Sequence, residues 1–354
     1  MYQIKLITRD AKSLSFPCEA HENIVTAAAQ ANIFLMAQCY AGNCGACSAH
    51  CEQGEFELTR YSEAVLSPAM QQKGQTLLCC TQPRSDMIVN LPYEYSKIRF
   101  ATPRQRTAKI VNKTFLTPDT VKLELQLEED AEGNIHFNFE PGQFVEISIP
   151  ETEIKRAYSL ANAPNWDGHL DFLIKLRSNG QFSTFLQQQA VLGMPLKISE
   201  AQGSFVLAER GLRPRYFIAG GCGLASVMSM LYHMAELQEP HEARLFFGVW
   251  QEEELFYQQE LADLAATYPN FSYQLCVTEP NESWAGFRGS VVDALDSALK
   301  NIKSSQPDIY ICGSSGLIEA VATVAENHGI AREQLIYEHY SSACDSGLNC
   351  EIKG

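Results

Sequence analysis

Basic residues are scarce in this chain. Of 354 residues, 27 are Lys or Arg against 42 Asp or Glu, a formal charge of −15. Such a surface disfavours nucleic acid and anionic lipid as partners. Net charge is −2 over residues 1–97, −3 over 98–209 and −10 over 210–354, so no segment offers a basic stripe. An apolar leader is lacking as well. Lys5, Arg9 and Asp10 interrupt the opening, which predicts no signal peptide and a cytoplasmic protein. One long run lacks formal charge, Tyr216–Ala235, but Gly220, Gly221 and Gly223 divide it into strand, turn and helix. That punctuation argues against a membrane span. The G-x-G-x-x-G nucleotide fingerprint is missing too, because Ser226 stands at its third glycine in the frame starting at Gly221.

Cysteine, by contrast, is plentiful, with 12 in the chain. In a long chain without a leader, cysteine clusters point to metal or redox chemistry rather than to a disulfide scaffold. Cys39, Cys44 and Cys47, followed much later by Cys79 and Cys80, follow the plant-type iron–sulfur spacing C-x4-C-x2-C with a distant fourth cysteine. Four thiolates must converge on two irons, so Gly42 and Gly45 would curl the loop while Ala41 and Ala46 keep its wall thin. Three rivals exist. They are a thioredoxin-like dithiol at Cys44 and Cys47, a zinc site adding Cys51, and a Rieske centre, for which His50 is the one nearby histidine. Strands over Tyr2–Thr8 and Ser13–Cys18 and a helix over Ile24–Ala31 precede the loop. A strand over Leu77–Leu78 would deliver Cys79, although spacing alone leaves Cys80 open. A strand from Ser48 leads into a Gln53-Gly54 turn, which makes Cys51 a core residue.

From Ala108 to Ser199, short apolar strands at even spacing predict an antiparallel barrel, with strands over Val121–Leu127, Phe144–Ile149 and Leu170–Leu176. Arg156-Ala157-Tyr158-Ser159-Leu160 suits a flavin: a guanidinium for pyrophosphate, a phenol ring for the isoalloxazine, a hydroxyl near its reactive nitrogen. Gly180 to Thr184 opens a helix whose start could take a phosphate, with capping by Ser183 as the plain alternative.

After Arg215, strands at Tyr216–Ala219, Leu245–Val249, Phe271–Val277 and Ile309–Cys312 alternate with helices at Ser226–Gln238, Glu254–Tyr268, Val291–Lys300 and Leu317–Gly329. This alternation predicts a doubly wound parallel sheet. Gly220-Gly221-Cys222-Gly223 and Cys312-Gly313 follow two of its strands, where such sheets bind dinucleotides. The expected chain is thus multidomain, α+β and α/β. It comprises a [2Fe–2S] ferredoxin expected to take a β-grasp fold (1–97), an antiparallel β-barrel suited to a flavin (98–209) and a doubly wound nucleotide-binding domain (210–354).

Ferredoxin loop, R-x-Y-S barrel and G-G-x-G-L-A turn, in that order, resemble the single-chain reductases of bacterial oxygenases over nearly the whole chain. Asn32–Met36, Phe139–Phe144, Pro214–Gly221 and Pro307–Gly313 look most like the reductases of soluble methane monooxygenases. The resemblance implies NADH, FAD and a [2Fe–2S] cluster, with a separate di-iron hydroxylase of a multicomponent monooxygenase as partner. It implies Cys39, Cys44, Cys47 and Cys79 as ligands and Arg156, Tyr158, Ser159 and Leu160, with Gly180 and Ser183, around FAD. Gly220, Gly221, Gly223, Cys312 and Gly313 would meet the nucleotide. Ser159, Cys312 and Glu338 would stand at hydride transfer, Glu338 and Tyr340 matching the family's closing segment. Cys222 and Ser226 depart from the usual threonine and proline of the glycine turn, Ser314-Ser315 from the usual prolines, and a tail with Cys344 and Cys350 runs past the closing segment. A reductase of an aromatic-ring dioxygenase or phenol hydroxylase, and a non-enzymatic iron–sulfur carrier or sensor, are the alternatives.

Overall fold

The computed structural model describes residues 1–101, 104–300, 302 and 306–339, so Tyr340 and the tail lie outside the described residues. Close contacts divide the chain into two units, described over residues 1–101 and over Arg104–Glu338.

The first unit is a mixed sheet gripping a short helix. Its strands are β1 (Tyr2–Ile7), β2 (Ser13–Cys18), β3 (Ser48–Gln53), β4 (Phe56–Leu58), β5 (Gln75–Leu77), β6 (Thr81–Pro83) and β7 (Met87–Asn90). The order is β2-β1-β7-β3-β5, with β4 and β6 pairing separately. β1 forms a hairpin with β2 and runs parallel to β7, the β-grasp arrangement. Alternation puts Ile4 and Leu6 inside, against α1 (Ile24–Gln30), where Ala27 and Ala28 allow close approach. Asn23 caps that helix by accepting from Thr26 N at 2.9 Å. β3 does not turn back on itself at Gln53-Gly54, since β4 leaves for the other sheet. Ile98 belongs to this core, and Arg99 bridges to Phe34.

The second unit begins with β8 (Gln105–Thr117), β9 (Thr120–Leu127), β10 (Phe144–Ser148), β11 (Lys155–Ser159), β12 (His169–Lys175) and β13 (Pro195–Ser199). They run β11-β10-β13-β8-β9-β12 through antiparallel pairs. The Leu160–Phe172 bridge, with Ala161 N donating to Asp171 O at 2.8 Å, joins the two end strands and closes the barrel. Val121, Leu123 and Leu125 fill it by strict alternation, and α3 (Gln181–Gln188) contributes Phe182, Phe185 and Leu186.

A second sheet follows: β14 (Arg215–Gly220), β15 (Ala243–Val249), β16 (Phe271–Val277), β17 (Phe287–Arg288), β18 (Asp308–Gly313) and β19 (Leu335–His339), in the order β17-β16-β15-β14-β18-β19, with parallel pairs from β17 through β18. The strand order reverses between β14 and β18, the switch point where such sheets take ligands. α4 (Leu224–Glu236) packs on β14 and β18 and meets α5 (Gln258–Thr267). α6 (Val291–Leu299) and α7 (Ser315–Asn327) bury Ile218, Phe246, Ile309 and Ile311. The helix expected from Glu254 starts only at Gln258. Leu255, Phe256 and Tyr257 are all buried, and one helical face cannot bury three successive side chains. The backbone breaks there instead, with Tyr257 at φ +59°. Among the described residues no helix is long and apolar enough to cross a membrane.

Candidate functional site

The loop after α1 carries Cys39, Cys44 and Cys47, and Cys79 meets them from the segment after β5. Thiols of Cys44 and Cys79 lie against Cys39, and Cys79 also touches Cys47. Ala41 N and Asn43 N donate to Cys39 Sγ at 3.4 and 3.2 Å. Donation from Cys44 and Cys79, then from these amides, pushes the Cys39 thiol down; its donors Cys44 and Cys79 are pushed up. Gly42, at φ +71°, is required twice over, since a Cβ there would sit 2.7 Å from Cys80 Sγ and from Tyr61 Cβ.

Cys79 is delivered by a turn and not by the expected strand. β5 ends at Leu77, whose carbonyl accepts from Cys80 N and from Thr81 Oγ1, both at 2.8 Å. Cys80 Sγ lies 3.6 Å from Cys79 Sγ but donates to Arg60 O at 3.4 Å. Cys51 Sγ donates to Gln53 O at 3.4 Å, apart from the loop, and the His50 ring lies against Gly74.

Among the described residues, the one trio of ligand atoms all within 4.8 Å of one another is Glu124, His169 and Asp171, so no three cysteine sulfurs are that close. A single tetrahedral zinc with Zn–S near 2.3 Å would need every sulfur pair about 3.8 Å apart. The spread of the four thiols suits a two-iron cluster better. The trio on the barrel already holds a cation: Lys122 Nζ lies 3.0 Å from both Glu124 Oε1 and Asp171 Oδ2.

On β11, Tyr158 packs its ring on Phe182 of α3 at 5.1 Å, and burial pushes its phenol up. Arg156 Nη1 donates to Lys155 O. The Leu160 side chain fills the barrel and its N–H donates to Gln143 O at 3.0 Å. Ser183 does not cap α3. Gly180 is the N-cap residue, and Ser183 Oγ accepts from Arg177 N at 2.9 Å, tying down the loop before the helix.

Barrel and nucleotide sheet meet where Ser159 Oγ donates to Glu338 Oε2 at 3.3 Å and Cys312 Sγ lies 3.9 Å from the same oxygen. Burial pushes the Glu338 carboxyl up to about 7, against the opposing pull of these two donors. Burial also pushes up the Cys312 thiol. Gly223 leaves no room for a side chain. A Cβ there would stand 2.4 Å from Cys312 O and 3.3 Å from Cys312 Sγ. Gly221 takes φ +52°, and Gly220 and Gly313 lie against Leu317. Ser226 Oγ donates to Gly223 O at 3.3 Å, and Cys222 Sγ reaches Thr120 Oγ1 at 4.0 Å across to the barrel. Thr120, Arg177 and the Ser229–Asn162 bond (2.7 Å) joining the two halves carried no signal in the sequence.

Comparison with known proteins finds three family models along the chain. Residues 7–84 match the 2Fe-2S iron-sulfur cluster binding domain, 107–207 the oxidoreductase FAD-binding domain and 217–323 the oxidoreductase NAD-binding domain. The chain is 38% identical over 301 residues to methane monooxygenase component C of Methylosinus trichosporium, covering 85% of this chain and 87% of that one. The chain belongs to the ferredoxin–FAD–NADH oxygenase reductase family. This reductase is also 33% identical, over 93% of its own length and 94% of the relative's, to the anthranilate 1,2-dioxygenase electron transfer component of Acinetobacter baylyi. A cytochrome P450 reductase from Amycolatopsis shares its fold, with TM-score 0.73 at 22% identity, covering 96% of this chain and all of the other. The reductase is therefore an NADH-dependent flavin and iron–sulfur oxidoreductase that uses a [2Fe–2S] cluster, FAD and NADH.

Proposed function

We propose that the reductase supplies electrons from NADH to the di-iron hydroxylase of a soluble methane monooxygenase in the cytoplasm. The observation that carries this reading is the 38% identity to methane monooxygenase component C, against 33% for the dioxygenase component. The second reading, reductase of an aromatic-ring dioxygenase, rests on that latter relative, which covers more of the chain. Substrate turnover with purified hydroxylase or dioxygenase, each limited by this reductase, separates them: the first reading expects coupling to the hydroxylase alone.

In this reading Cys39, Cys44, Cys47 and Cys79 hold the cluster. Arg156 would pair with the flavin pyrophosphate, Tyr158, Ser159 and the Leu160 backbone would hold its ring, and Gly180 and Ser183 would shape the helix start beside it. Gly220, Gly221, Gly223 and Gly313 admit the nucleotide backbone. A flavin held there would supply the conversion between hydride chemistry at NADH and single-electron chemistry at the cluster. Ser159 and Cys312 hold the Glu338 carboxyl from two sides, so that a proton can be kept or shed there near neutrality. Gly223 lets the turn lie on Cys312 without a side chain between them.

We take 1–97, 98–209 and 210–354 as the working division into domains; Ile98 and Arg99 recommend that an isolated first domain extend through residue 101. The partner would dock on the loop Tyr40–Ala46, where Tyr40 is exposed. Glu57 is neutralised by Arg84 at 2.5 Å and Glu52 accepts from Asn90, so steering by carboxylates is weaker than their number suggests.

A further inference from the structure

We infer that Trp250 is the platform on which the adenine of NADH stacks, an inference that rests on the dinucleotide site described above. β14 leads into the glycine turn, with β18 on one side and β15 on the other. Gly220 pairs with Gly248 of β15, and Ala219 with Cys312 of β18. A dinucleotide whose pyrophosphate meets the helix start at Gly221–Gly223 must spread along the carboxyl edge of the sheet in both directions. The half that reaches Cys312 and Glu338 is the reacting nicotinamide. The adenosine half is left with the end of β15, and Trp250 is the first residue past that strand.

Trp250 is built for such a role. Its main chain is pinned on both sides, since its N–H donates to Glu254 Oε2 at 2.8 Å and its carbonyl accepts from Glu279 N at 2.9 Å. Its indole is nevertheless 56% exposed. A large apolar ring on a fixed main chain has only two side-chain torsions to lose on binding and gains a face to cover. Trp284, in the next loop, differs: it is half-buried and its Nε1 donates to Phe287 O at 3.1 Å.

The test compares NADH with reduced nicotinamide mononucleotide, which lacks the adenosine half, in the FAD-loaded full-length protein. Trp250→Ala should raise KM for NADH about tenfold, as base–aromatic stacking predicts, leave kcat unchanged, and leave the mononucleotide's KM unchanged. Trp250→Tyr should restore most of the loss. The chain has three tryptophans, so quenching of indole emission by NAD+ should vanish in Trp250→Phe. Equal KM for NADH in wild type and Trp250→Ala, or an equal rise for both donors, would overturn the platform while leaving the NADH site standing. Failure of NADH to bleach the wild-type flavin would instead overturn the dinucleotide site, and the platform with it.

Discussion

Ser159 and Glu338 stand 179 positions apart and share a 3.3 Å hydrogen bond, the hydroxyl donating to the carboxylate. The pair joins the last residue of β11 to the edge strand of the nucleotide sheet. Because burial holds Glu338 up at about 7, the folded protein binds this proton more tightly than the unfolded chain. The group therefore favours folding at low pH, and that advantage is lost between about pH 4.5 and 7, at most about 3 kcal/mol. Flavin reduction by NADH should change across pH 6–8 in wild type. Glu338→Gln should flatten the profile, and its stability should fall less between pH 5 and 8. A wild-type inflection surviving in Glu338→Gln would assign the proton elsewhere.

The glycine turn gives a sharp contrast. At Gly223 a Cβ would press on a backbone carbonyl at 2.4 Å, whereas at Gly316 nothing lies within 4 Å. Gly223→Ala should cost about 1–3 kcal/mol and slow flavin reduction. Gly316→Ala, in α7, should be neutral or stabilising by up to about 1 kcal/mol. Thermal melts and single-turnover reduction check both, and equal behaviour of the two variants would refute the close approach.

Substitution of the paired cysteines separates ligand from neighbour. Cys79→Ser should lose the cluster's visible absorption and its iron, while Cys80→Ser keeps two irons per chain. Iron and acid-labile sulfide analysis reads this directly, and the reverse pattern would make Cys80 the ligand.

Nucleotide choice should favour NADH over NADPH by at least about tenfold in kcat/KM, or about 1.4 kcal/mol. Glu252, Glu253 and Glu254 follow β15 where a 2′-phosphate would arrive. Arg288, the next cation along the chain after Arg244, is spent on the carbonyls of Asn281, Glu282 and Trp284. Equal efficiencies with the two donors would refute this.

Much of this architecture was legible because period and punctuation agree. Ile4 and Leu6, or Val121, Leu123 and Leu125, alternate as half-buried strands must, and the cysteine spacing marks its own loop. What escaped was tertiary. Nothing local says that Gly223 lies on Cys312, that Cys79 rides a turn, or that Ser183 binds Arg177 N instead of capping its helix. Local pattern continued a helix through Leu255–Tyr257, and burial of all three broke it. Glu338 was visible only through family resemblance, because a lone carboxylate near a chain end has no local signature.

The path of electrons is tested most directly by mixing NADH anaerobically with the reductase and following flavin and cluster absorption separately, with and without di-iron hydroxylase. Flavin bleaching should come first, cluster reduction second, and hydroxylase reduction last. Cys79→Ser should retain the first step and lose the others. Hydroxylase reduced as fast by the cluster-free variant as by wild type would contradict the account.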